Sequence, residues 1–128
     1  MNGLPLWLAV GAGGAIGAVA RYGVGVLSLR FLGPNFPWGT LTVNVVGSAL
    51  MGLFIAWLVA KEPHNAAMRV FVATGILGGF TTFSTFALDA MTLYREKTLT
   101  LAGAYVAASV ILSIAGLLAG LAAGKAFS

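Results

Sequence analysis

The sequence predicts an all-α membrane protein of four transmembrane helices, the third of them broken, with an antiparallel, dual-topology homodimer as one of two assemblies that its charges leave open. Three observations predict the four-helix fold. Hydrophobic residues make up 59% of the 128-residue chain and charged residues only 8%, with a mean hydropathy of +0.98; a soluble domain carries about 25% charged residues. Turn residues and charges divide the chain into four apolar stretches, each long enough to cross a bilayer, which takes about 20 residues. The third stretch contains Gly78-Gly79-Phe80-Thr81-Thr82-Phe83-Ser84-Thr85-Phe86, with two adjacent glycines and four hydroxyls at membrane depth. Non-helical backbone survives there only where protein buries it or where it lines a wet cavity. The run therefore implies a break whose carbonyls and hydroxyls turn toward an ion.

The elements follow in order. The first span covers 5–29 and ends at Arg30, before a loop holding Gly33, Pro34, Asn35 and Pro37. The second covers 38–60 and ends at Lys61-Glu62-Pro63-His64-Asn65. The third covers 68–94, longer than a straight crossing needs, which leaves slack for the break. It ends at Arg95-Glu96-Lys97, and the fourth covers 99–127. The reading is one membrane-embedded unit over 1–128. Trp7, Trp38, Trp57 and Tyr94 fall near span ends, where amphipathic rings prefer to sit. Gly13 and Gly17 in the first span, and Gly116, Gly120 and Gly124 in the fourth, have the small-xxx-small spacing that lets helices approach closely in lipid.

Orientation is balanced. With four spans, one side of the membrane holds Lys61, Arg69 and Lys125, and the other holds Arg30, Arg95 and Lys97. Basic residues in short loops set topology, and here they nearly cancel. Insertion in both orientations is one consequence, and an antiparallel two-fold dimer would follow from it. A weak bias that still gives one orientation is the other.

Several function classes drop out. The chain has no cysteine, so disulfide scaffolds, thiolate metal sites and cysteine nucleophiles are excluded. The net charge of +4 is spread over helix ends, so no nucleic-acid-binding patch exists. No basic residue precedes the first apolar run, which argues against a cleaved signal. The single histidine, His64, sits in a polar loop, and Asp89 is the only acid within a span. An enzyme is not expected.

Polar residues within the spans are more pointed. Thr40, Asn44 and Ser48 recur every four residues and share one face, as do Tyr105, Ser109 and Ser113. Polar groups facing lipid without partners are costly, so both faces should point into the protein. For Ser48 and Ser113, hydrogen bonding between helices or to their own carbonyls is the simpler reading. For Asn44 a working role is favoured, because a mid-membrane amide is expensive unless it is used. Phe83 and Phe86 share a face just past the break, and a ring edge carries partial positive charge, so they suit an anion. Arg21 and Asp89 lie at similar depth on helices running the same way. Charges within spans usually pair or serve a pathway; a pair that holds Arg21 in an anion vestibule is favoured over each charge snorkelling separately to the headgroups.

The run Gly75-Ile76-Leu77-Gly78-Gly79-Phe80-Thr81-Thr82-Phe83-Ser84-Thr85-Phe86 closely resembles the signature of the Fluc, or CrcB, fluoride channels. Pro37-Trp38-Gly39-Thr40-Leu41-Thr42-Val43-Asn44 resembles that family's second-helix motif. The glycine-rich first helix with Arg21, the length and the four-span layout match too. The resemblance implies a passive channel in the bacterial inner membrane that exports cytoplasmic fluoride and so confers fluoride resistance. It implies an antiparallel homodimer with two pores lined by both copies. Fluoride would come from HF that enters and ionises inside the cell. The matching pore residues are Asn44, Phe83, Phe86, Tyr105 and Ser109, with Thr82, Ser84 and Thr85 contributing, and Arg21 in a vestibule. The resemblance also implies a structural sodium ion held by the backbone carbonyls of Gly78 and Thr81. The implied partners are fluoride, membrane lipid and a second copy of the chain, without nucleic acid.

The residue chemistry agrees with this resemblance. Fluoride is small and tightly hydrated, so a pore must replace its water with donors that carry no fixed full charge, because conduction also needs release. An alternative is a small multidrug-resistance-type proton antiporter, which needs an acid in the first helix. That helix has Arg21 and no acid. A structural subunit of a larger membrane complex would explain the glycines but not the hydroxyl-rich break.

Overall fold

Each helix ends where the sequence changes character. The computed structural model describes residues 3–61 and 65–127, and every element among them is helical. The expectation for His64 lies outside the described residues. Helix α1 (Leu4–Leu32) has Pro5 in its first turn, where the missing N–H is no loss. It runs past Arg30 and stops at Gly33, whose φ of 80° lets its N–H return to the Leu29 carbonyl at 3.2 Å. Helix α2 (Trp38–Lys61) starts directly after Pro37.

The third span is assembled from pieces. Helix α3 (Ala66–Arg69) is capped by Asn65, whose side chain accepts the Met68 N–H at 3.1 Å. Val70–Leu77 is wound as a wider π-helix, and Gly78–Phe80 makes one short turn, α4. Thr81 and Thr82 are extended, and α5 (Phe83–Glu96) begins after them. The expected break is thus a discrete two-residue interruption. Helix α6 (Leu99–Ala126) is capped by Thr98, whose hydroxyl accepts the Leu101 N–H at 3.0 Å.

Small residues decide which helices touch. The most extensive packing is α2 against α6, followed by α1 against the π-helical segment. A Cβ at Gly52 would overlap the Leu117 carbonyl oxygen, and one at Gly120 would overlap that of Ala49. On α1, a Cβ at Gly13 or Gly17 would overlap the carbonyl oxygens of Phe71 and Ile76. Backbone rests on backbone at both contacts, as association in lipid favours. The small buried core lies near one end, where Leu93, Ala102 and Tyr105 meet Phe36, Leu41 and Phe86. Large apolar side chains such as Trp7, Val19, Leu88 and Ile111 face outward. With four helices long and apolar enough to span a bilayer, this is a multi-pass membrane protein.

Candidate functional site at the helix break

A helix break redistributes hydrogen bonds, and each can be followed here. In an unbroken α-helix the amide of residue i donates to the carbonyl of i−4. Thr81 still does so, to Leu77 at 3.1 Å, and its hydroxyl donates to the same carbonyl at 3.0 Å. The pattern then stops. The Thr82 amide donates to Asn44 Oδ1 at 2.8 Å, and the Thr85 amide donates to Thr82 Oγ1 at 3.2 Å. Gly78 and Thr81 therefore lose the amides that would have satisfied their carbonyls. Gly79, deprived of the Phe83 amide, instead accepts the Nε–H of Arg21 at 3.0 Å.

Asn44 makes a second bond to the same residue, donating from Nδ2 to the Thr82 carbonyl at 3.0 Å. One carboxamide thus satisfies both backbone groups of Thr82, as a neighbouring strand would. Only one of its two Nδ2 protons is used in this way. Asn44 belongs to the break as much as any glycine does.

A cavity of about 400 Å³ opens beside this clamp. It is lined by Asn44, Ser48, Thr81, Thr82, Phe83, Phe86, Ser109 and Ser113, with Met51, Val110 and Ile114 among its apolar walls. The two phenylalanine rings lie 5.6 Å apart, tilted by 49°. Phe83 is 80% exposed in the single chain. Ser109 is the informative hydroxyl: the residue is buried, yet its Oγ has no hydrogen-bond partner. Buried polar atoms are nearly always paired, and the polar group within reach of this oxygen is the Tyr105 hydroxyl, one turn away on α6.

A second cavity, of about 460 Å³, lies beyond Thr82, which lines both. Arg21, Thr40, Thr85 and Asp89 line it with Tyr22, Ser28, Phe36 and Trp38. Tyr105 is fully buried near it and donates its hydroxyl to Asp89 Oδ2 at a long 3.3 Å. Its ring lies tilted by 42° against Phe86 at 5.4 Å and meets Phe36 edge-on at 5.5 Å.

The structure gathers most of the sequence-predicted residues. Asn44, Thr82, Phe83, Phe86 and Ser109 share the first cavity, Arg21 and Thr85 sit at the second, and Tyr105 is buried against Phe86. Ser84 lines neither cavity and is exposed, as is Gly78. The expected Arg21–Asp89 ion pair is corrected: both groups line one cavity, but no salt bridge joins them among the described residues. The break creates an orphan carbonyl at Gly79, and Arg21 turns to it, while Asp89 takes the tyrosine hydroxyl. Ser48 and Ser113, expected in helix contacts, line the first cavity instead. Their four-residue spacing from Asn44 and Ser109 was the available signal. Nothing in the sequence marked Gly79 as the acceptor for Arg21.

Among the described residues no cluster of histidine, cysteine or carboxylate side chains is placed to hold a metal. The carbonyls of Gly78 and Thr81, stripped of their amides, are hard oxygens of the kind an alkali cation takes, so they fit the sodium ion that the resemblance implies.

Four spanning helices, one of them interrupted beside hydroxyl-lined cavities, define a multi-pass membrane protein with a polar site at the helix break. Comparison with known proteins then places it. Residues 8–121 match the family model described as "CrcB-like protein, Camphor Resistance (CrcB)", and the chain belongs to the CrcB family. It is 53% identical to the "Fluoride-specific ion channel FluC" of Agrobacterium fabrum, over 91% of this chain and 93% of that one. It is 56% identical to the protein of the same name from Cereibacter sphaeroides ATH 2.4.1, over 91% of each. The "Fluoride-specific ion channel FluC 1" of Nitrobacter hamburgensis is 51% identical, over 89% of this chain and 90% of its own. These relatives are channels, not enzymes.

Proposed function

We propose that this chain forms a passive, fluoride-selective channel that exports cytoplasmic fluoride across a bacterial inner membrane. The active form is an antiparallel homodimer with two pores. The observation that carries the reading is the first cavity, where a buried, unpartnered Ser109 hydroxyl and a half-used Asn44 amide face an exposed Phe83 ring. The names of the relatives support the choice of anion.

The chemistry follows from what those groups offer. A fluoride ion leaves its water only if each lost hydrogen bond is replaced. The spare Nδ2–H of Asn44, the hydroxyls of Ser109 and Thr82, and the edges of Phe83 and Phe86 are such replacements, while Tyr105, its own proton on Asp89, backs the Phe86 ring. None carries a full positive charge, so the ion is held weakly enough to leave. Thr85 and Ser84 extend the donor set on α5. Arg21 stands beside the second cavity and raises the local anion concentration, as a vestibule cation does. The wide exposure of Phe83, Ser84 and Gly78 suits a second copy that completes each pore. The carbonyls of Gly78 and Thr81 would hold the structural sodium, which would supply positive charge where the two breaks meet. The near-equal basic counts at the two ends suit insertion both ways.

The direct test is efflux from liposomes loaded with potassium fluoride, with potassium chloride liposomes as control. Rapid fluoride release with chloride retained is the expected result; no fluoride release ends the proposal.

Ser109→Ala separates pore from packing. Its hydroxyl makes no close, well-aligned hydrogen bond, only an approach to the Tyr105 hydroxyl, so the change should move thermal stability by no more than about 1 kcal/mol. Fluoride efflux should still fall several-fold. A variant that melts lower but conducts normally would place Ser109 in the fold instead.

A further inference from the structure

The break leaves Gly79 with a carbonyl that no main-chain amide reaches, and the group that takes it comes from another helix. We propose that Arg21 is a positioning residue for the broken helix, acting through its Nε–H rather than through its charge. This deepens the channel reading above and rests on it for the link to conduction.

The geometry gives Arg21 a specific task. Gly79 faces α1: a Cβ there would lie 2.7 Å from the Gly14 carbonyl oxygen and 3.3 Å from the Ala18 nitrogen. Gly78 faces elsewhere, since a Cβ there would meet only its own segment, at Ala73 O, 3.6 Å away. Successive carbonyls of a helical turn are rotated by about 100°. Fixing the Gly79 carbonyl on Arg21 Nε at 3.0 Å therefore fixes where the Gly78 carbonyl points. Asn44 clamps the other side of the gap, at Thr82. Thr81 lies between the two anchors. The two side chains replace the bonds that would otherwise let the segment close into a continuous helix, and they keep the Gly78 and Thr81 carbonyls free for an ion. The rest of the guanidinium stays at the second cavity, so charge and position are separate properties of one residue.

Two substitutions separate them. The side-chain nitrogen of glutamine stands as many bonds from Cα as Nε of arginine does, so Arg21→Gln keeps the donor and removes the charge. Arg21→Lys keeps the charge and moves the donor one atom further out. Purified wild type, R21Q, R21K and R21A would be compared by melting temperature in sodium and in N-methylglucamine, and by fluoride efflux. The expected result is that R21Q keeps the sodium-dependent rise in melting temperature and at least a third of the efflux. R21K and R21A should lose the rise and about tenfold or more of the efflux, as fits a lost hydrogen bond from a charged donor. R21K restoring both properties where R21Q fails would overturn the proposal in favour of charge alone. Wild-type behaviour in all three variants would overturn it too. If wild type passes no fluoride, the channel reading fails while the melting comparison still decides the positioning role.

Discussion

Asn44→Asp should silence fluoride efflux while leaving the four helices in place. The wild-type carboxamide accepts from the Thr82 amide at 2.8 Å and donates to the Thr82 carbonyl at 3.0 Å. A carboxylate keeps the first bond and loses the second, setting two oxygens against each other. Leaving a buried acceptor unsatisfied costs about 1–3 kcal/mol, and the donor that the proposed pathway offers the anion disappears as well. The added charge weighs as much again. At about 6 Å, with an effective dielectric constant near 20, two like charges repel by roughly 3 kcal/mol, which alone slows passage about a hundredfold. Together these effects should bring efflux down to the leak of empty liposomes. Asn44→Ser, which loses the clamp without adding charge, should fall between. Efflux within threefold of wild type in Asn44→Asp would remove Asn44 from the pathway.

The fold was largely legible because bilayer crossing imposes a length and a polarity that composition cannot hide. Pro37 before α2 and Gly33 after α1 mark ends by local chemistry that needs no tertiary context. The small-residue spacings were legible too, and Gly13, Gly17 and Gly120 do lie at backbone contacts. The break could be foreseen from Gly78-Gly79 followed by a hydroxyl run. The π-helical winding of Val70–Leu77 could not, because it carries no distinctive residue type.

For the site, spacing showed that Asn44 and Ser109 face inward, but not what each bonds. That depends on which backbone groups the break leaves orphaned, a property of the assembled helices. The Arg21–Asp89 expectation failed for this reason: opposite charges at equal depth attract, but an orphan carbonyl at Gly79 lay within reach. The cavity roles of Ser48 and Ser113 were hidden because a serine on an inward helix face reads the same in sequence whether it meets a helix or a cavity.

Gly78→Val and Gly17→Ala should fail in different ways, and the contrast tests the dimer. A Cβ at Gly17 would overlap the Ile76 carbonyl oxygen and press on the Phe80 amide. Those are backbone atoms of the segment that leads into the break, so neither helix can yield without separating. Overpacking of this kind costs about 1–3 kcal/mol or more, and Gly17→Ala should lower the yield of folded protein and its melting temperature. At Gly78 the single chain has room, since a new Cβ makes only ordinary contact with Ala73 O at 3.6 Å, and the residue is exposed. Gly78→Val should therefore express and insert normally. If the proposed dimer and its ion form at the two breaks, the cost should appear only there. There the branched side chain would crowd the Gly78 carbonyl, the dimer fraction should drop at low protein-to-lipid ratio, and efflux should fall to background. Crosslinking across a dilution series, read beside the flux assay, distinguishes the two variants. A Gly78→Val protein that stays dimeric and conducts like wild type would show that Gly78 lies outside both the interface and the ion site.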